Sequence, residues 1–132
     1  MSADGNRQLL QHLFAEAERG NIQPFLAALS DDIEWTVTGS TKFSKTYRSK
    51  QVFISELLEP LMSQIAGNLT LAAQRFIADD DYVAVEFRGH STTKTGMPYN
   101  NTYCGVFRLS GNKIQQVTEY MDTELVTTAF GR

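Results

Sequence analysis

Residues 69–90, LTLAAQRFIADDDYVAVEFRGH, decide how this chain folds. Two runs rich in apolar and β-branched side chains, residues 69–78 and 82–90, flank the triplet Asp79-Asp80-Asp81. Short acidic clusters between alternating runs are turn signals, because Asp tolerates left-handed backbone and bonds its own main chain. The stretch therefore reads as an antiparallel hairpin. Downstream the same period of two continues: residues 99–109 form a third strand, Gly111-Asn112 a turn, and residues 113–121 a fourth strand.

Upstream the period changes to that of a helix. Phe53, Leu57, Leu58, Leu61, Met62 and Ile65 form one stripe, with Ser49 as its cap. Pro60 lies inside that stripe and predicts a kink or break, and Gly67-Asn68 ends the helical region. Residues 40–48 are polar and read as a loop. Residues 33–38 alternate as a strand closed by Gly39-Ser40. Before them, Asn21 is read as the cap of a short helix bearing Phe25, Leu26 and Leu29, which the Ser30-Asp31-Asp32 cluster ends. Leu9, Leu10, Leu13, Phe14 and Ala17 make residues 6–19 an amphipathic helix stopped by Gly20. Helices first and long strands afterwards predict an α+β fold. A cone-shaped, curved antiparallel sheet, with N-terminal helices closing its concave face, encloses a pocket. No repeat or linker interrupts the chain, so residues 1–132 read as one domain.

Composition narrows the function classes. With 42% hydrophobic and 20% charged residues the chain has the make-up of a globular domain. A net charge of -3 leaves no excess of cations to attract a phosphate backbone. Lys42, Lys45, Arg48 and Lys50 are the one loose grouping, either an anion-facing or a solvated loop. The apolar stretches are interrupted far short of the roughly 20 residues a bilayer requires. Nucleic acid and membrane are thus not expected partners. Cys104 is the single cysteine, which excludes an intrachain disulfide and any multi-thiolate metal site. His12 and His90 have no partner at metal-ligand spacing, so neither metal nor cofactor is expected. The polar start of the chain lacks a signal-peptide core, and a cytoplasmic location is the expectation.

Several short motifs carry a resemblance. They are Thr95-Gly96-Met97-Pro98-Tyr99-Asn100-Asn101, then Tyr103, Val106-Phe107-Arg108, Gly111-Asn112-Lys113-Ile114 and Glu119-Tyr120-Met121-Asp122-Thr123. Upstream stands Asp31-Asp32-Ile33-Glu34-Trp35-Thr36-Val37 followed by Gly39. Together they resemble the SnoaL-like and limonene epoxide hydrolase-like branch of the nuclear-transport-factor-2-like superfamily, which also holds ketosteroid isomerases. The resemblance spans nearly the whole chain and implies a single SnoaL-like domain with a small-molecule pocket. It also implies that Glu119 stands where SnoaL-like cyclases and limonene epoxide hydrolases carry a pocket Asp acting as general acid or base. A ketosteroid isomerase triad is not matched: the first helix has no Tyr, and Glu34-Trp35 stand where its early-strand Asp is expected.

Period-two alternation puts Val117, Glu119 and Met121 on one face. A carboxyl between apolar neighbours facing a cavity acquires a raised pKa and suits proton transfer near neutrality; the plain alternative is a glutamate in a surface salt bridge. Glu86 and Arg88 share a face of their own strand. By the resemblance, Arg88 would be held between Glu86 and Glu119 as a second part of the catalytic group; otherwise the two form a solvent-facing ion pair. Trp35 and Tyr103 either line the pocket as hydrogen-bond donors or pack in the core. Asn101 either orients a substrate or finishes a turn. Asp122 is read as the cap of a C-terminal turn over residues 123–126, and Cys104 as a small buried residue.

These readings converge on a cofactor-independent acid–base enzyme, of isomerase, cyclase or epoxide hydrolase type, acting on a small apolar or carbonyl-containing ligand. A non-catalytic ligand binder and a protein-interaction module of the same fold are the alternatives. A homodimer is expected because Val83, Val85 and Phe87, placed on the convex face, would need a cover.

Overall fold

Strand pairing carries the architecture of the computed structural model, which describes residues 2–132. Six strands form one sheet in the order β2-β1-β6-β5-β4-β3. They are β1 (Leu29–Val37), β2 (Thr46–Arg48), β3 (Ile65–Asp79), β4 (Tyr82–Thr93), β5 (Thr102–Ser110) and β6 (Lys113–Met121). The hairpin read from residues 69–90 is present as β3 and β4, closed by Asp80-Asp81 with Asp79 paired to Tyr82 and Asp80 at φ +54°. All pairings are antiparallel but one: β1 runs parallel to β6, so the curved sheet is mixed.

Helix α1 (Ala3–Glu18) begins where the Ser2 hydroxyl accepts from the Gly5 amide at 3.0 Å. It lays Leu10, Leu13, Phe14 and Ala17 against β3 and β4. Phe14 is the hub of this layer, with ring centroids 5.0 Å from Phe87 and 5.9–6.0 Å from Phe25, Phe76 and Phe107. Burying such a ring is worth roughly 3 kcal/mol, and its edge-to-face neighbours add to that. Helix α2 (Gln23–Ala28) starts without a side-chain cap at Ile22. Asn21, expected there, instead donates its amide to Glu16 at 3.1 Å.

Several boundaries differ from expectation: Leu29, counted in the second helix, opens β1, and β5 begins at Thr102 and not at residue 99. The Ser30-Asp31-Asp32 cluster lies inside β1, in an irregular stretch where pairing jumps from Leu29–Ile114 to Glu34–Gln116. The extra residues bulge outward and leave both aspartates exposed, so the acidic cluster marks a bulge and not a helix end. The polar loop ends in a short edge strand, β2. Ile65, counted in the helical stripe, opens β3 as a buried residue, with Gly67 at φ +73° in the bulge that follows.

Ser49 caps α3 (Lys50–Phe53) by accepting from the Val52 amide at 3.1 Å. The break expected at Pro60 takes the form of a widened π-helical turn over Ile54–Leu58, after which α4 (Glu59–Met62) follows. The Glu59 amide reaches back five residues to the Ile54 carbonyl, and Pro60 itself has no amide to offer. Helix α5 (Thr123–Phe130), capped by Asp122 Oδ1 accepting from the Leu125 amide at 3.2 Å, extends the expected C-terminal turn.

The face assigned to the hairpin is reversed. Val83, Val85 and Phe87 are 0%, 0% and 4% exposed and belong to the core beneath α1, while Glu86 and Arg88 look outward. The apolar patch that motivated a homodimer is therefore already covered by the chain's own helices. Among the described residues no helix is long and apolar enough to cross a membrane.

Candidate functional site

Between the concave sheet face and the helices lies a cavity of about 130 Å³. That is roughly the size of an apolar protein cavity, about 150 Å³, that takes up benzene. Rings from helices and sheet surround it, including Phe14, Phe25, Trp35, Phe53, Phe87 and Phe107. Among the described residues that line it, only Thr41, Tyr99, Tyr103, Glu119 and the Trp35 indole carry polar side-chain groups.

Glu119 enters from β6. Its neighbours in register are Val37 on β1 and Gly105 on β5, so the carboxyl rises between an aliphatic side chain and a residue without one. Trp35, two residues before Val37 and on the same face, donates Nε1–H to Glu119 Oε1 at 2.8 Å. The indole is held flat against Phe53, with centroids 4.3 Å apart and planes 27° apart. Thr38 fixes the strand beneath, its amide and hydroxyl both donating to the Glu119 carbonyl at 3.1 and 2.8 Å. Glu119 Oε2 has no hydrogen-bond partner among the described residues. Burial pushes the carboxyl from 4.5 up to about 7, and the single Trp35 hydrogen bond only partly opposes it. Part of Glu119 remains accessible in surface terms because it lines the cavity, yet the carboxyl sits deep in the fold.

The other expected site residues divide. Tyr103 and Met121 line the cavity with Glu119 and Trp35. Val117 is on their face but 1% exposed and packed in the core below the cavity. Asn101 does not reach the cavity; it ties the start of β5 to the end of β6, bonding Asp122 through both its amide atoms. Glu86 and Arg88 do not converge on Glu119. They stand on the outer sheet face, where Glu86 faces Arg75 at 3.4 Å with both side chains more than half exposed. The physical reason is the phase of β4: three large apolar side chains at 83, 85 and 87 claim the inner face, which sends 86 and 88 outward.

The chain order also concealed Tyr99. It lies in the turn before β5, 4% exposed, with its hydroxyl 3.1 Å from that of Tyr103. Burial raises the pKa of both phenols, and the nearby Glu119 charge raises them further. Three of the four cations in the loose group are engaged within the chain: Lys42 donates to the Phe130 carbonyl at 2.8 Å, Lys45 pairs with Glu56 at 2.8 Å, and Arg48 pairs with Glu34. Among the described residues no group of three or more His, Cys, Asp or Glu side chains is placed to hold a metal ion.

Residues 10–117 match the model of the SnoaL-like domain. The chain belongs to the SnoaL-like domain family. Its fold is shared with solved structures of low sequence identity. An NTF2-like protein of unknown function from Burkholderia pseudomallei is similar at 20% identity and TM-score 0.81, over 100% of both chains. A putative isomerase from Bacillus subtilis is similar at 20% identity and TM-score 0.75, covering 99% of this chain and 96% of its own. TerC, co-crystallized with polyporic acid, is similar at 20% identity and TM-score 0.78, covering 94% of this chain and 96% of its own. No curated protein matches the chain in sequence at a significant level. The SnoaL-like domain here is a small-molecule pocket fold whose cavity holds one carboxyl.

Proposed function

We propose that this SnoaL-like protein is a cofactor-independent acid–base enzyme that moves a proton on a small, mostly apolar substrate, with Glu119 as the acid or base. One observation carries the reading: a carboxyl with a pKa of about 7 in an apolar cavity, held by Trp35 at one oxygen and unpaired at the other. Near neutral pH such a group is present in both protonation states, which is what proton abstraction and return require. Burial keeps competing water away from the carboxylate and strengthens its interaction with a substrate C–H or O–H.

Within the acid–base class, isomerisation and cyclisation by proton transfer have more support than epoxide opening. Glu86 and Arg88, expected as partners of Glu119 throughout the class and matched in spacing to limonene epoxide hydrolases, both face away from the cavity. The Bacillus subtilis putative isomerase and polyporic acid in the TerC crystal lend support to a small organic ligand on this fold.

The test is solvent-deuterium exchange at the acidic C–H of 2-indanone, followed by NMR. Wild-type protein should accelerate exchange, and Glu119→Gln should lower the protein-dependent rate about 10²- to 10⁴-fold. Full exchange activity in Glu119→Gln would overturn the assignment.

A second reading, a ligand-binding protein without turnover, is favoured by the near absence of polar groups from the cavity wall. It expects a ligand retained through purification and seen by native mass spectrometry, with no exchange on any ketone.

A further inference from the structure

The orientation of the Asn101 amide can be deduced from its partners. Its Oδ1 receives the backbone amides of Thr102 at 2.8 Å and Asp122 at 3.1 Å, groups that can only donate. Its Nδ2 faces the Asp122 carbonyl at 3.0 Å, a group that can only accept, and the Tyr99 hydroxyl at 3.2 Å. The amide is 1% exposed and all its hydrogen-bonding capacity is engaged. It follows that the Tyr99 oxygen accepts from Asn101. The Tyr103 hydroxyl donates to that same oxygen at 3.1 Å. Two phenols carry two protons. One lies between the two oxygens, and neither proton can go to Asn101. The Tyr99 O–H therefore has no acceptor among the described residues, on a pair of rings that line the cavity.

We infer that Asn101 is a positioning residue that sets the polarity of the Tyr99–Tyr103 pair, so that the pair presents one O–H donor to the cavity for an uncharged oxygen of the ligand. The chemistry of the wall makes that oxygen neutral, since among the described residues no Lys, Arg or His lines the cavity to balance an anion. A carbonyl oxygen on a compact apolar body meets both conditions. This deepens the proposed function and rests on its reading of the cavity as a small-molecule site. It does not depend on Glu119 acting as a base.

The probes are acetophenone and ethylbenzene, nearly isosteric and differing in one carbonyl oxygen. Their dissociation constants are measured by NMR at about pH 9, where Glu119 has lost its proton and has no O–H to give. The quantity read is the ratio of the two constants, so that general damage to the cavity cancels.

In Tyr103→Phe the Tyr99 proton stays free, so the ratio should remain within about twofold of wild type. In the double variant Tyr99→Phe/Tyr103→Phe it should move about tenfold against the ketone. Asn101→Asp replaces the donor with an acceptor, draws the Tyr99 proton away from the cavity, and should move the ratio in the same direction. The carbonyl stretch of bound acetophenone should lie at lower frequency in wild type and Tyr103→Phe than in the other two variants. Packing changes alone would not produce that pattern.

If Asn101→Asp fails to fold, the contrast between the single and double phenylalanine variants decides. Equal loss in Tyr103→Phe and the double variant would overturn the deduced polarity. An unchanged ratio and carbonyl band in the double variant would overturn the donor itself. Activity of Glu119→Gln reports separately on the acid–base chemistry.

Discussion

Two glutamates on the same sheet show how much the facing of a strand decides. Glu86 on β4 and Glu119 on β6 are separated only by β5 in the sheet. Glu86 looks outward, within 3.4 Å of Arg75 and more than half exposed, in an ion pair of a kind generally worth under about 1 kcal/mol. Glu119 looks inward, with no cation beside it among the described residues and one indole N–H for a partner. Water solvates the first carboxylate; the second has lost that solvation and gained little in exchange, so its proton is held up to about pH 7. The chemistry of a carboxyl is set here by which side of the pleat it occupies.

The sharpest way to break this comparison is to neutralise each carboxyl in turn. Glu119→Gln should lower protein-dependent 2-indanone exchange by at least about 10², whereas Glu86→Gln should change it less than about twofold. Equal losses in the two variants would mean that the outer face takes part in the chemistry.

The next largest effect concerns pH and stability. Glu119 binds its proton more tightly folded (about 7) than at its ordinary value of 4.5. Its contribution is therefore fully present below about pH 4.5 and is lost as pH rises towards 7, on the order of 3 kcal/mol across the window. Urea denaturation should show this decline in wild type relative to Glu119→Gln, in which this group no longer titrates. Trp35 is the single tryptophan and bonds the titrating oxygen, so its emission should change with a midpoint near pH 7 and lose that transition in Glu119→Gln.

The sequence made the hairpin, the amphipathic first helix and the inward run of Val117, Glu119 and Met121 readable, because each depends on a period within one element. It did not settle which face of β4 meets the helices. Alternation fixes two faces and names neither. The choice falls to the sum of apolar area, and Val83, Val85 and Phe87 outweigh any pull from Glu86 and Arg88. Assigning the face by functional analogy reversed it. Tyr99 and the Asn101 network were concealed for another reason. Their geometry depends on the turn before β5 and on the Asp122 backbone 21 residues away, neither of which has a periodic trace. The parallel pairing of β1 with β6 is likewise a long-range contact with no local signal.

Gly105 tests the inner side of the comparison at lower amplitude. It is the cross-strand neighbour of Glu119, and a Cβ added there would lie 2.8 Å from Phe107 Cε1 and 3.2 Å from its Cζ. Phe107 is 1% exposed and packed against Phe14 and Phe25, so its ring has little room to withdraw. Gly105→Ala should destabilise the protein by about 1–3 kcal/mol in urea titrations. A neutral outcome would mean that the aromatic cluster yields more easily than its packing implies.

The smallest effect belongs to the outer face. Removing either partner of the Arg75–Glu86 pair should cost less than about 1 kcal/mol, and the loss should shrink as salt is added. A double-mutant cycle with Arg75→Ala and Glu86→Ala measures the coupling free of each residue's own propensity. The long side chains must give up rotamer freedom to meet at 3.4 Å, and water competes for both charges throughout. A coupling above about 1 kcal/mol that persisted at high salt would show this face to be screened from solvent. The inner and outer carboxyls would then differ less in environment than their exposures imply.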